Sequence, residues 1–181
     1  LLTCPYPEAP PRSIDVLSLG RRMPELHTKL SALAAHDGNF FYVHDVLKAG
    51  AVTDWAEHRA QSAAMIKRAK YFIAYDFTVD TTGVFKGVRK NALATRYFEG
   101  TAGGAIVLGS RQHCPEFDDH FDWPDAVIEL PPGTPDVGAF LADLGGQSAR
   151  LEQARATNVS QALRRHDWAH RWGQLLDVAG L

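Results

Sequence analysis

The stretch Thr95 to Gly109, TRYFEGTAGGAIVLG, constrains this chain more than any other. It reads as a helix that begins near an acidic residue and ends on Gly103-Gly104, which suit a C-terminus where one residue must turn left-handed without a Cβ penalty. The apolar run Ala105-Ile106-Val107-Leu108 then reads as a buried strand. Arg96 and Glu99 are three apart, so a helix places both on one side, one turn from each other. A helix-turn-strand unit with an acid and a base at the helix start belongs to an α/β protein. Polar ligands sit at that end of such a fold.

The flanking sequence repeats the alternation. Strands are expected at 14–19 (IDVLSL), 40–46 (FFYVHDV), 71–77 (YFIAYDF), 105–108 and 126–130 (AVIEL). Helices are expected at 24–36, where Leu26, Leu30, Leu33 and Ala34 form a stripe, and at 54–69 behind the N-cap candidate Thr53. Further helices are expected at 135–144, 148–163 and 166–178, with a helical turn at 115–120. In the helix at 54–69, the apolar residues Trp55, Ala60, Ala63, Ala64 and Ile66, or a subset, should be buried. Residues 1–13 hold four prolines and read as a linker or an arm packed on the domain. Residues 78–94 are the least regular interior segment. Alternating strands and helices predict an α/β, Rossmann-like three-layer domain over 14–181, with a mostly parallel sheet of about five or six strands.

Composition narrows the function. A formal net charge of −2 gives no bulk attraction for nucleic acid. The basic residues cluster instead at Arg21-Arg22, between Lys86 and Lys90, and at Arg164-Arg165. Such local clusters suit a small anion such as a diphosphate. The two cysteines, Cys4 and Cys114, make neither a disulfide framework nor a CxxC metal pair, so a reducing, cytoplasmic setting is expected. No apolar run approaches the roughly 20 residues of a membrane span. A start at Leu1-Leu2-Thr3, without Met, is expected of a piece of a longer protein.

Four motifs bear on chemistry. Gly20-Arg21-Arg22 follows the first strand; it is either a phosphate-binding turn or a tight turn with two solvated arginines. Its pattern is not GxGxxG, so a dinucleotide fingerprint is not supported. Glu99, with Arg96 beside it, can accept hydrogen bonds from a sugar diol, or simply complement a helix dipole. His166-Asp-Trp-Ala-His170 is similar to the zinc motif HExxH, yet its acid is one methylene shorter and no third ligand is apparent. Glu116, Asp118, Asp119, Asp122 and Asp125 have irregular spacing and read as a solvated loop anchored by Phe117, Phe121 and Trp123. His44-Asp45 ends a strand at the ligand-binding edge, whereas His27, His36 and His58 fall on polar helix faces and are expected at the surface.

RYFEGTAGGAIVLG, the acidic loop, AVIELP and the closing NVSQALRRHDWAHRWGQLL together resemble the C-terminal half of a GT-B glycosyltransferase. The group is the "glycosyl transferases group 1" C-terminal domain, which includes spore-maturation-type proteins. The resemblance covers Ile14 to Leu181 and implies a donor-binding domain for a nucleotide-diphosphate sugar. It also implies a separate N-terminal acceptor domain and an acceptor that it does not identify. By the resemblance, Glu99 holds the donor ribose, and Gly100 and Thr101 present helix N–H groups to the diphosphate. Arg21, next to Arg22, neutralises the leaving group, with Arg96 or Lys90 as helpers. No metal and no cofactor are implied, and the HDWAH segment becomes part of a terminal helix. Many relatives carry a further glutamate eight residues before the one matching Glu99; here that position is Asn91, which leaves the stereochemical outcome and the catalytic residue open. The alternative from another class is a non-catalytic nucleotide- or protein-binding α/β module.

Overall fold

A computed structural model describes residues 10–20, 22–45, 52–75, 79–80, 89–90 and 93–181. The elements are β1 (Ile14–Ser18), α1 (Pro24–His36), β2 (Tyr42–His44), α2 (Trp55–Arg68), β3 (Ala69–Ala74), β4 (Val79–Asp80) and β5 (Arg89–Lys90). There follow α3 (Thr95–Ala102), β6 (Ile106–Gly109), α4 (Pro115–His120), β7 (Ile128–Glu129), α5 (Val137–Gly145), α6 (Ser148–Arg165) and α7 (Trp168–Ala179). Five strands form one sheet in the order β2-β1-β3-β6-β7, and every neighbouring pair is parallel. This is the expected Rossmann-like arrangement.

Strand alternation sorts the core into two faces. Val16, Tyr71, Ile73, Ile106 and Leu108 point to the side covered by α1 and α5, where Leu26, Leu30, Val137, Leu141 and Leu144 meet them. Leu17, Phe72 and Val107 point the other way, toward α2, α3 and α4. On that second face Tyr97, Phe117, Phe121 and Trp123 form a buried aromatic wall. The indole N–H of Trp123 donates to Asn158 Oδ1 at 2.7 Å, which ties α6 to the wall. The acidic loop is thus anchored by its rings. Its carboxylates meet arginines at the surface: Asp118 with Arg111, Asp122 with Arg165, and Asp125 with Arg150.

Several elements depart from expectation. β3 starts at Ala69, directly after α2, because Ala69 is fully buried and already pairs with Ile14. β7 is only two residues long. Within 78–94 the short antiparallel pair β4-β5 sets Val79 opposite Lys90, a pairing no periodicity announces over two residues. In α2 only Ala63 and Ile66 are buried, while Trp55 lies exposed against His58. The end of α3 behaves as its glycines predict, with Gly104 left-handed at φ +68°. The largest departure is α7. Large apolar residues at the helical spacing of Trp168 and Trp172 ordinarily pack on a core. These two do not: they are 77% and 62% exposed, and no residue of α7 is buried.

Candidate functional site

The sheet order reverses between β1 and β3, since β2 lies to one side of β1 and all later strands of the sheet to the other. A crevice at the carboxyl ends of the strands opens at such a switch point. Two segments meet there. Gly20 follows β1 with φ +78°, a conformation that favours glycine. A Cβ built on Gly20 would lie 3.2 Å from Arg96 Nη2, so the turn after β1 packs on the start of α3.

Arg96 Nη1 donates to Glu99 Oε2 at 2.5 Å, the pairing that the three-residue spacing predicts. Both side chains are about one-third exposed or less. Among the described residues Oε1 of Glu99 has no hydrogen-bond partner, so the arginine orients the carboxylate while one oxygen stays available. The N-cap Ala94 supplies no side-chain bond to the first turn of α3, which leaves the amides of Thr95 and Arg96 without a capping side chain.

Gly100 and Thr101 stand elsewhere. They are the sixth and seventh residues of α3, beyond the four whose N–H groups a helix leaves unpaired. Both are buried, and the Thr101 hydroxyl donates back to Tyr97 O at 2.8 Å. A Cβ on Gly100 would come within 2.7 Å of both Phe72 and Val107. These two residues let the helix approach the sheet and do not face the crevice.

The glycine-arginine turn is also already occupied. Asp45 Oδ2 accepts the Gly20 N–H at 2.9 Å, and Arg22 Nη1 donates to the Asp45 carbonyl and lies 3.4 Å from Asp45 Oδ1. The donors that a phosphate would use are therefore held by a carboxylate from the end of β2. Arg22 also meets His44 Nδ1 at 3.3 Å. His27, expected at the surface, instead bonds Tyr42 Oη at 3.0 Å and stacks edge-on against His44 with ring centroids 4.8 Å apart. Burial, then the charge of Arg22, then His44 push its pKa below the ordinary histidine value. The contact partners of this cluster lie up to 25 residues apart in sequence, so periodicity could not group them. Only the strand-end position of His44-Asp45 hinted at it. Arg21, Asn91 and the side chain of Lys90 lie outside the described residues.

Glu99 also borders an apolar groove between α3 and α7, about 910 Å³, with Phe98, Leu163, Trp168, Leu175 and Val178 along it. The HDWAH segment lines the same groove but is not one helical face. His166 caps α6, Asp167 caps α7, and the chain bends between them. His166 Nε2 meets His120 O and His170 Nε2 meets Leu163 O, each at 3.1 Å. Among the described residues no three His, Cys, Asp or Glu side chains gather as a metal cluster would require. No helix among them is long and apolar enough to cross a membrane.

The family model for glycosyl transferase-like proteins matches residues 30–177 of the 181. This chain belongs to that glycosyl transferase-like family. The match spans α3, the aromatic wall and nearly all of α7. No curated protein matches the chain. Membership of a glycosyl transferase-like family supports a role in glycosyl transfer, with a sugar donor and an acceptor.

Proposed function

We propose that the chain is the donor-binding domain of a GT-B glycosyltransferase and takes a nucleotide-diphosphate sugar at the crevice between Gly20 and α3. The observation that carries this is the approach of the β1 turn to Arg96, which is itself paired with Glu99. Glycosyl transfer breaks the bond between the anomeric carbon and the diphosphate oxygen and forms one to the acceptor oxygen, whose proton passes to a general base on the acceptor side. Negative charge grows on the departing diphosphate, so fixed positive donors lower the barrier. Arg96 and the uncapped amides of Thr95 and Arg96 supply them at one helix end. Glu99 Oε1 accepts from a ribose hydroxyl. Arg21 and Lys90 complete the charge, and Arg22 contributes where the diphosphate displaces Asp45 from the Gly20 N–H. A second domain brings the acceptor.

Calorimetric titration with UDP and GDP tests this. Glu99→Ala removes hydrogen bonds to a charged group, worth about 1.5–3 kcal/mol, so affinity should drop by roughly ten- to a hundredfold. Equal affinity in both proteins would remove Glu99 from the site. The closure of the Gly20 turn by Asp45 favours a second reading, a nucleotide- or protein-binding module without transferase activity. Intact nucleotide binding with no sugar transfer or donor hydrolysis by the longest natural form of the protein is the outcome that reading requires.

A further inference from the structure

The opposite end of the strands holds a second cavity, about 550 Å³, where β1 and β3 begin and where α1 and α5 end and α6 starts. At about 3.3 Å per residue, the 5-residue strand β1 alone sets it on the order of 15 Å from the crevice. Its walls are apolar at Leu33, Phe40, Leu141 and Leu151.

Charge inside this cavity is unbalanced in a specific way. Asp15 is satisfied, since Lys70 Nζ lies 2.6 Å from it and the Phe41 N–H donates to it at 2.8 Å. Asp37 accepts the Asn39 N–H at 2.9 Å. Arg155, half-buried, has no such partner among the described residues. Its Nε is enclosed without a hydrogen-bond acceptor, and among the described residues its guanidinium makes no ion pair. Burial pushes its pKa down, and the nearby Tyr71 and Glu152 offset that only in part. The Tyr71 hydroxyl lines the same cavity and is likewise without a hydrogen-bond partner among the described residues. An enclosed Nε–H without an acceptor is costly, because a buried donor loses water and gains nothing. Ser148 adds the first turn of the 18-residue α6, whose N-cap Gln147 provides no side-chain bond.

We propose that this cavity is a binding site for a small monocarboxylate with an apolar body, held by Arg155 and Tyr71. The guanidinium fork matches a carboxylate's two oxygens, and the phenol donates a further hydrogen bond. The four apolar walls cover the body. Asp37 and Glu152 also face the cavity, so a doubly charged phosphate meets about twice the repulsion that a single carboxylate does. The site is independent of the donor crevice.

The test titrates the full chain with 4-phenylbutyrate, 4-phenylbutanol and inorganic phosphate, followed by NMR of the Arg155 Nε–H and the amides of Tyr71 and Leu151. The carboxylate should shift all three saturably; the matched alcohol should leave the Nε–H unmoved. Arg155→Met should weaken binding at least tenfold with UDP affinity unchanged, and Tyr71→Phe should weaken it by less. Tyr71→Phe and the wild-type Nε–H signal decide the matter even if the methionine variant does not fold. Equal binding of alcohol and carboxylate, tighter binding of phosphate, no saturable shift, or full binding by Arg155→Met would each overturn the proposal.

Discussion

α3 and α7 border the same groove, yet one is embedded and the other is bare. The eight residues of α3 bury Tyr97, Gly100 and Thr101 against β3, β6 and α6. The twelve residues of α7 bury none, although Trp168, Trp172, Leu175, Leu176 and Val178 make it richer in large apolar side chains. Amphipathic spacing thus identifies an apolar face without identifying what covers it. α3 owes its position to a small residue where backbone must approach sheet; α7 has large residues and nothing among the described residues to receive them.

The widest gap between the two helices should appear in stability. Gly100→Val puts a branched side chain where even a Cβ lies 2.7 Å from Phe72 and Val107. Overpacking of this kind costs about 1–3 kcal/mol, and the β-branched residue should place it at the upper end. Urea unfolding followed by circular dichroism measures the loss. A change below about 1 kcal/mol would mean that α3 can slide outward and is less embedded than its contacts indicate.

α6 spans both situations and gives the next effect. Asn158 is fully buried and accepts the Trp123 N–H, whereas Leu163, one turn and a half further on, is 47% exposed. Asn158→Ala leaves a buried indole donor without an acceptor, at a cost of about 1–3 kcal/mol. Leu163→Ala should cost less than that, because half of its surface already meets water. The same unfolding experiment ranks the two, and a reversal would move the boundary of the folded core past Leu163.

Acidity probes the junction between them. His166 caps α6, its Nδ1 is buried without a partner, and burial is the first cause that lowers its pKa below 6.5. His120, 5.5 Å away by ring centroids, is lowered by burial too. A histidine whose folded pKa is depressed takes up its proton more readily when unfolded. Its contribution is therefore complete above pH 6.5 and declines as pH falls from there through the folded value. Stability from pH 8 to 5 should fall on the acid side, and His166→Phe should flatten that decline. An unchanged slope would place the titration elsewhere, with His120 and then His27 the next histidines to test.

The same contrast governs what could be read without coordinates. Helix α1 falls at 24–36 as its leucine stripe and Pro24 dictate, and α4 at 115–120 follows from Pro115 and the buried phenylalanines. The Arg96–Glu99 pair was legible because both partners lie within one helical turn. The Gly20–Asp45 bond was not, because it joins residues 25 apart whose proximity depends on β1 and β2 pairing in register. Gly100 and Thr101 were misplaced for a related reason. Their position in α3 could be counted only once the helix start at Thr95 was fixed. In HDWAH the i, i+4 spacing would mean one face only on a continuous helix, and here the chain bends between His166 and Asp167.

The smallest effect completes the comparison. Trp172 is 62% exposed on a helix without a buried residue, so the folded state gains little from it. Surface substitutions away from caps and core contacts usually change stability by no more than about 0.5 kcal/mol. Trp172→Ser should stay within that range in urea, while Gly100→Val, across the groove and one residue from Glu99, does not. A loss above about 1 kcal/mol at Trp172 would show that α7 is held in solution by a surface its exposure does not account for, and the contrast with α3 would then be one of partners rather than of packing.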